Sequence, residues 1–297
     1  MGSICRPPSK ELICFKTILA HDDKIVCIIE LLNKKIVTGS YDKTIKIWNL
    51  DNFICEKTII EKYPIKCVLE MEQNMLLSGT EGNSIQLWNL NSSSNYYIFS
   101  FQGHGLWINC LVKLNESIFA SGSNDDEIKI WDYSELKDMQ TLKGHTKGIL
   151  CMIKLNNEKL CSGSADCTIK IWDWKNYTCE NTLKDNSPIL CLCEFKNDII
   201  ISGNDESSVT VWENYQRKND SDFKGHESIV RNLCKIDEKH FASASFDKTI
   251  KIWDYNTKNC METLIGHNDF VIGILKHNDG YLISCSNDKT IKIWKKI

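Results

Sequence analysis

The chain has 297 residues, 42% of them hydrophobic, and a formal net charge of −3. This charge gives no net-charge argument for binding nucleic acid or an anionic membrane. No apolar run approaches the roughly 20 residues of a membrane-spanning helix, and no signal peptide is visible. We therefore expect a soluble protein of the cytoplasm without membrane insertion, with a nuclear, cytoskeletal or ciliary assembly as the alternative setting.

The fifteen cysteines follow the internal pattern of the chain. Five take an equivalent position in successive segments, namely Cys27, Cys67, Cys110, Cys151 and Cys191. Three others, Cys55, Cys179 and Cys260, each follow a tryptophan by seven residues. A cysteine that recurs with the architecture is expected to fill a small apolar core position, and the chain has no CxxC pair. We predict free thiols in a reducing compartment and no metal or other cofactor.

Residues 1–11 contain Pro7 and Pro8 and are predicted to form a flexible tail. Residues 12–297 consist of seven copies of one pattern, of which SASFDKTIKIWD, ending at Asp254, is typical. Their tryptophans are 40 to 43 residues apart, at Trp48, Trp88, Trp131, Trp172, Trp212, Trp253 and Trp294. Self-similarity at such a period indicates a repeat architecture.

Each copy is predicted to consist of four short strands. In the fourth copy these are Ile149–Lys154, Lys159–Ser164, Thr168–Trp172 and Tyr177–Leu183, separated by polar turns. Four strands per repeat, with little room for a helix, are typical of the blade of an all-β propeller.

The two ends of the sequence complement one another. The last copy stops three residues after Trp294 and so lacks a fourth strand, whereas Leu12–Leu19 resembles the fourth strand of the sixth copy. We predict that this N-terminal strand completes the last of seven blades. Such closure removes the open sheet edges that invite aggregation.

The recurring Gly-His, Ser/Thr, Asp and Trp residues, with Trp-Asp at the end of the third strand, resemble the WD40 family of β-propellers over residues 12–297. The resemblance implies a hydrogen-bonded tetrad of these four residue types within a blade, in which histidine bridges aspartate and hydroxyl. The implied tetrads are His21, Thr38, Asp42 and Trp48 in blade 1; His104, Ser121, Asp125 and Trp131 in blade 3; His145, Ser162, Asp166 and Trp172 in blade 4; His226, Ser243, Asp247 and Trp253 in blade 6; and His267, Ser284, Asp288 and Trp294 in blade 7.

Blades 2 and 5 depart from this pattern. They lack the Gly-His pair, are one residue shorter at that turn, carry Pro64 and Pro188 there, and have Gly82 and Glu206 at the aspartate position. Losing histidine and aspartate together avoids a buried aspartate without its partner, which costs about 1–3 kcal/mol. We expect these two blades to be more mobile than the other five.

The sequence contains no GxxxxGK loop, HExxH motif, GxSxG elbow or GxGxxG fingerprint. The His, Ser and Asp of the tetrads have the composition of a catalytic triad, but a set that recurs five times indicates a structural role. His240 and His277 stand apart and are predicted to be solvated turn residues. We expect no enzymatic activity and no small-molecule substrate.

Lysines recur two residues before the tryptophan, at Lys46, Lys129, Lys170, Lys251 and Lys292. Because they alternate with isoleucines, they are predicted to form the polar side of the third strand in each blade. Distributed around the ring they form no patch, so nucleic-acid binding is the less favoured alternative function.

The WD40 resemblance also implies partner contacts at three positions per blade on one face of the ring, the top face. One position precedes the tetrad aspartate, and the others lie three and five residues after the histidine. The candidate contacts are Lys24, Tyr41, Trp107, Ile229, Arg231, Phe246, Phe270 and Ile272. All except Trp107 belong to blades 6, 7 and 1, which are neighbours in a closed ring. Aromatic and arginine side chains dominate interface hot spots, so we predict partner binding there.

These features predict a non-enzymatic scaffold that binds a peptide or protein surface on its top face within a multiprotein complex. An alternative is a substrate receptor of a cullin ubiquitin ligase. Lys159–Lys175, ending in Trp172-Asp173-Trp174-Lys175, resembles the box that such propellers present to their adaptor, although Lys175 stands where arginine is usual.

Overall fold

The computed structural model describes residues 11–92, 96–218 and 222–296. Within these ranges the chain forms seven β-sheets and no helix, and no segment could cross a membrane as a helix. The arrangement confirms the all-β, seven-bladed propeller. Of the tail expected at residues 1–11, all but Glu11 lies outside the described residues.

Strands are numbered along the chain, and the first, β1 (Leu12–Leu19), belongs to the last blade. Blade 1 consists of β2 (Ile25–Glu30), β3 (Ile36–Ser40), β4 (Thr44–Asn49) and β5 (Ile54–Ile60). Blade 2 consists of β6 (Ile65–Glu72), β7 (Met75–Thr80), β8 (Ser84–Asn89) and β9 (Tyr97–Gln102). Blade 3 consists of β10 (Ile108–Lys113), β11 (Ile118–Ser123), β12 (Ile128–Asp132) and β13 (Lys137–Leu142).

Blade 4 consists of β14 (Ile149–Lys154), β15 (Leu160–Ser164), β16 (Thr168–Asp173) and β17 (Thr178–Lys184). Blade 5 consists of β18 (Ile189–Lys196), β19 (Ile199–Asn204), β20 (Ser208–Glu213), β21 (Gln216–Arg217) and β22 (Phe223–Lys224). Blade 6 consists of β23 (Val230–Lys235), β24 (His240–Ser245), β25 (Ile250–Asp254) and β26 (Cys260–Leu264). Blade 7 consists of β27 (Val271–Lys276), β28 (Leu282–Ser286) and β29 (Thr290–Lys296), together with β1.

The N-terminal strand closes the ring, as predicted. Strand β1 runs antiparallel to β29, from the pair Leu12 and Lys296 to the pair Leu19 and Thr290, so the sheet order of blade 7 is β1-β29-β28-β27. Both ends of the chain therefore contribute to one blade, and the third strand of that blade has a neighbour on each side.

The hydrophobic core lies between adjacent blades. Ile45 and Ile47 of the third strand of blade 1 pack with Ile65, Leu76 and Trp88 of blade 2. The alternation of isoleucine with lysine in TIKIW sends the isoleucines to a sheet face, because successive side chains of a strand point to opposite sides. Each blade needs a neighbour to cover this apolar face, which is why the fold must close into a ring.

All fourteen cysteines of the described residues are free thiols. The first predicted group lies on the innermost strands, where Cys27 pairs with Gly39 of the next strand and its Sγ would be 2.6 Å from a Cβ on that glycine. In blade 7 the two residue types are exchanged, since Gly273 pairs with Cys285. The thiol thus occupies the space that a missing side chain leaves.

Two expectations about single residues are wrong. Cys179 and Cys260 of the second cysteine group are exposed on outer strands rather than in core positions, because each lies opposite its tryptophan at a bulge of the fourth strand. His277 is buried, at 1% exposure, rather than a solvated turn residue. Its Nε2 lies 3.0 Å from the carbonyl oxygen of Lys34 and 3.3 Å from Glu30, so it joins blades 7 and 1.

Candidate functional site

A chain of hydrogen bonds connects the implied tetrad residues in five blades. In blade 6, His226 Nδ1 lies 2.6 Å from Asp247 Oδ2, and His226 Nε2 lies 2.6 Å from Ser243 Oγ. Trp253 Nε1 donates to the same Oγ at 2.7 Å. The equivalent contacts are 2.7 to 2.9 Å long in blades 1, 3, 4 and 7. The four side chains are brought together in every blade that carries them.

Burial lowers the pKa of two tetrad histidines, His21 and His145, and the pKa of the aspartate is lowered in all five tetrads. Burial lowers the pKa of His145, although Asp166 acts in the opposite direction. Burial alone would raise the pKa of Asp125, but hydrogen bonds from His104 and the Gly105 N–H outweigh it and lower the pKa to about 2. Hydrogen bonds to a carboxylate favour its charged form.

The tetrad hydroxyl has no free capacity for chemistry. Ser243 is fully buried, its Oγ shares a hydrogen bond with His226 Nε2, and the same oxygen accepts a hydrogen bond from Trp253. A catalytic serine must instead present its oxygen to a substrate. The tetrads therefore tie together the second strand, the third strand and the turns at the top of the blade.

Blade 2 keeps the hydroxyl and the tryptophan but replaces the histidine. Trp88 Nε1 donates to Ser78 Oγ at 2.9 Å, and Ser78 Oγ donates to Glu61 Oε1 at 3.3 Å. The other carboxylate oxygen accepts the N–H of Lys62 at 2.9 Å. Glu61 is buried, and burial raises its pKa. A carboxylate thus occupies the histidine position of blade 2, where the sequence predicted only the loss of the histidine and the aspartate.

Blade 5 holds a second carboxylate, Asp185, at the same position six residues before the inner-strand cysteine. It accepts a hydrogen bond from Arg217 Nη1 at 2.9 Å, and Arg217 Nη2 donates to Asp222 at 3.0 Å. The arginine comes from an interrupted fourth strand. In blade 5 Trp212 pairs with Arg217, five residues on, whereas the equivalent tryptophan of blade 4 pairs with a residue seven positions on. Because this turn is two residues shorter, blade 5 has additional residues between β21 and β22, and its fourth strand is divided there.

On the top face, the first and second contact positions of a blade lie side by side. The N–H of the residue before the tetrad aspartate donates to the carbonyl of the residue three positions after the histidine. This bond joins Tyr41 to Lys24 at 3.1 Å and Phe246 to Ile229 at 2.9 Å. The repeat geometry therefore presents two side chains per blade at the same height.

Blades 6 and 7 meet in a pair of parallel rings. Phe246 and Phe270 stack with ring centroids 4.3 Å apart and an interplanar angle of 2°, and we call them the phenylalanine pair. Phe270 is 36% exposed. Arg231 lies at the central cavity, where Nη1 donates to the carbonyl of Leu190 at 3.1 Å. Ile272 is buried in the wall of that cavity.

Three further candidates, Lys24, Tyr41 and Trp107, belong to a second group around Tyr41. Lys24 Nζ lies 3.9 Å from the centre of the Tyr41 ring, and Tyr41 Oη donates to Glu81 at 2.6 Å. Lys66 Nζ lies 5.4 Å from the ring centres of both Tyr41 and Trp107. Trp107, expected to stand alone, is thereby joined to the group, and its side chain is 42% exposed.

Two members of this second group, Lys66 and Glu81, were not among the contact residues predicted from the sequence. The contact positions were counted from the histidine, which blade 2 lacks. Counting from the inner-strand cysteine would have found both, since Lys66 directly precedes Cys67 just as Val26 precedes Cys27.

The recurrent lysines are held within their blades. Lys170 Nζ donates to Thr182 of the fourth strand at 2.9 Å, and Lys292 reaches Thr17 of β1 at 2.8 Å. This one-per-blade placement gives no continuous basic surface. Across residues 11–92, 96–218 and 222–296, no His, Cys, Asp and Glu side chains are grouped so as to hold a metal ion.

The family model described as WD domain, G-beta repeat (WD40) matches five segments of the chain: 12–49, 95–132, 136–173, 217–254 and 258–295. Each segment contains one of the five tetrads, and together they cover more than half of the chain. The segments that carry Glu61 and Asp185 are not matched. No curated protein matches the sequence. With its matched repeats and seven-bladed ring, the chain belongs to the WD40 family of β-propellers.

Proposed function

We propose that this propeller is a non-enzymatic scaffold, which binds a peptide or protein surface of another chain on its top face within a multiprotein complex. The observation that carries the proposal is the phenylalanine pair, which spans two blades and of which Phe270 is 36% exposed. Trp107 adds a second large exposed aromatic side chain to the same face.

Large aromatic surfaces in contact with water favour an interface. Burying apolar area stabilises a complex by about 25 cal/mol per Å², and tryptophan and arginine are enriched among residues whose truncation costs about 2 kcal/mol or more. Exposed apolar patches rimmed by polar groups are typical of binding sites. Lys24 and Tyr41 contact each other in blade 1, and the Ile229 carbonyl accepts the N–H of Phe246. Arg231 and Ile272 line the central cavity.

A reducing compartment such as the cytoplasm fits the free thiols, among which the exposed Cys14, Cys179 and Cys260 would be open to oxidation outside the cell. A nuclear or cytoskeletal assembly would share this chemistry. The buried and repeated tetrads support a role without catalysis, small-molecule substrate or cofactor.

The test compares the proteins that co-purify from native extract with wild type, Phe246→Ala/Phe270→Ala and Trp107→Ala. A matched control, Met139→Ala/Met261→Ala, removes two exposed apolar side chains from outer strands. We expect the phenylalanine variant to lose specific partners while its melting temperature stays near that of wild type. Unchanged partners, or a large fall in melting temperature, would count against the top-face site.

The same purification separates the cullin alternative, because a cullin adaptor would appear among the partners. Trp174 of the box-like segment is buried, and its Nε1 donates to the carbonyl of Glu158 at 2.8 Å. Asp173 pairs with Lys159 at 2.9 Å. These are the contacts of a blade residue, and they give the adaptor interpretation no particular support.

A further inference from the structure

Seven equivalent residues, one per blade, surround the opening of the central cavity on the top face. Each directly precedes the inner-strand position of Cys27 and its equivalents, and all seven line a cavity of about 260 Å³. Two are cations, Lys66 and Arg231, one is Asn109, and the other four are valine, leucine or isoleucine. No described aspartate or glutamate lines the cavity. We call this opening the central mouth.

Arg231 holds a charge that no described carboxylate neutralises. Its guanidinium has five N–H donors, and the contact found for it is the single hydrogen bond to the Leu190 carbonyl. The Arg231 charge acts on cysteine thiols of three other blades. Burial raises the pKa of Cys27, Cys110 and Cys191 to about 12, and the Arg231 charge opposes that rise in all three. Arg231 itself lines the central cavity.

Lys66, in blade 2, is also short of negative charge. Its Nζ donates to the neutral Tyr41 hydroxyl at 3.3 Å, and that hydroxyl donates in turn to Glu81 Oε1 at 2.6 Å. The Glu81 oxygen itself lies 3.8 Å from Nζ, beyond hydrogen-bond distance. Burial lowers the pKa of Lys66, Glu81 opposes this, and the Arg231 charge adds to the lowering. A partly buried cation without a full partner carries a desolvation cost, and an anion placed beside it would relieve that cost.

We propose that the central mouth holds an anionic group of a bound peptide, a carboxylate or a phosphate, between Lys66 and Arg231. An apolar residue next to that group would rest on the phenylalanine pair. The inference rests on the proposed scaffold function and narrows it to acidic or phosphorylated peptides. Both cations can donate charge-assisted hydrogen bonds, and the arginine fork matches carboxylate and phosphate oxygens in geometry.

The test is a selection of random dodecapeptides displayed on phage against the immobilised full chain, followed by fluorescence anisotropy of the most enriched peptide. We expect enriched peptides to carry Asp or Glu beside an aromatic or aliphatic residue. Replacing that acid by glutamine, or introducing Lys66→Gln or Arg231→Gln, should weaken binding about tenfold or more. Added salt should weaken it as well.

The matched control is Lys248→Gln, which removes an exposed cation from the top turn of blade 6 and should leave binding unchanged. Arg231→Glu should shift the selection towards basic peptides. A phosphoserine in place of the acid identifies the source: tighter binding assigns a phosphate, and weaker binding assigns a carboxylate. Lys66→Gln tests the site independently if an Arg231 variant does not fold.

Two results would overturn the inference, and they are distinguishable. Peptides that need the phenylalanine pair but tolerate Lys66→Gln and Arg231→Gln would remove the anion site and leave the scaffold function standing. Failure to enrich any peptide that depends on the phenylalanine pair or on the two cations would remove both.

Discussion

Ser78 of blade 2 donates a hydrogen bond to Glu61, which stands where five other blades have a histidine. The hydroxyl still accepts the N–H of Trp88 at 2.9 Å. The blade thus keeps the buried tryptophan–hydroxyl contact and replaces a neutral acceptor by an acidic one. The pH dependence of stability that Glu61 gives this blade is therefore opposite in sign to that of His21 and His145 in their blades.

Replacing Glu61 by glutamine should leave the free energy of unfolding at pH 7 unchanged or raise it by up to about 1 kcal/mol. Burial raises the pKa of Glu61 above its usual 4.5. A group with a raised folded pKa stabilises the fold fully below its unfolded pKa and loses this as pH rises through the folded value. Glutamine keeps an acceptor for Ser78 without the charge.

Urea unfolding of wild type and Glu61→Gln at pH 7 and pH 4 measures this effect. The difference should shrink at pH 4, where both side chains are largely neutral. Glu116→Gln, at a carboxylate whose side chain is 88% exposed, serves as control. A glutamine variant that is clearly less stable than wild type at pH 7 would contradict the assignment.

Removing a tetrad hydroxyl should cost more than removing its counterpart in blade 5. Ser243 Oγ contacts both His226 and Trp253, so Ser243→Ala leaves two buried groups without a partner and should destabilise the fold by about 1–3 kcal/mol. In blade 5, Ser202 Oγ accepts the Trp212 N–H, and Ser202→Ala should cost less. Denaturant midpoints check the order, and equal losses would show that the histidine adds nothing.

Acid should weaken the fold in two steps of the same sign. Burial lowers the pKa of His21 and His145 below the usual 6.5, so their contribution is complete above pH 6.5 and is lost as pH falls through the lowered values. Asp125, with its pKa lowered from 3.8 to about 2, contributes fully above pH 3.8 and loses this towards pH 2.

The variant Asp125→Asn isolates the second step. At pH 7 it should be less stable than wild type by about 1–3 kcal/mol, because the buried His104 loses a charged partner. The difference should diminish as the pH falls from 3.8 towards 2. Asp138→Asn, on an exposed outer strand, should show no such trend. A stability difference between wild type and Asp125→Asn that stays constant from pH 7 to pH 2 would argue against an ionised Asp125.

Blade 5 should exchange its amide hydrogens faster than blade 4. Its fourth strand is split into two pieces of two residues, β21 and β22, whereas β17 pairs along seven residues. The buried side-chain polar atoms without a partner in the described part of the chain all lie in or beside blade 5, on Asp185, Ser187, Asn204, Thr210 and Asp222. Few backbone hydrogen bonds and unsatisfied polar groups lower local stability.

Hydrogen exchange followed by mass spectrometry compares β20 with its equivalent β16. We expect faster exchange in β20, and a smaller effect in blade 2, whose fourth strand β9 pairs with β8 over most of its length. Equal protection around the ring would contradict this expectation and the sequence-based one for both blades.

The sequence alone predicted those features of the fold in which one residue type repeats at one position with one structural role. The seven tryptophans predicted seven blades, and the unmatched strands at the two ends predicted the pairing of β1 with β29. The spacing of His226, Ser243 and Asp247 rests on fixed strand and turn lengths, which is why counting along the chain located them.

Counting along the repeat did not predict the structure where different residue types occupy the same repeat position. It also failed where one residue type occurs in two different environments. Glu61 and Asp185 occupy the histidine position with other chemistry, and only three-dimensional packing shows that they are buried. Cys27 and Cys179 each belong to a group of cysteines that recurs with the repeat, yet Cys27 lines the cavity and Cys179 is exposed at a bulge. His277 is buried because blade 1, distant in sequence, folds against it.

The pairing of β1 with β29 also sets an order of events during synthesis. Strand β1 precedes all other strands of the ring along the chain, yet it is the last to find its partner, because β29 is made after them. Until then its backbone groups remain a free edge, and the apolar sides of blades 1 and 7 have no permanent cover. Chaperone dependence of this protein should therefore be greatest before β29 is made, and the pairing of β29 with β1 decides whether the ring closes.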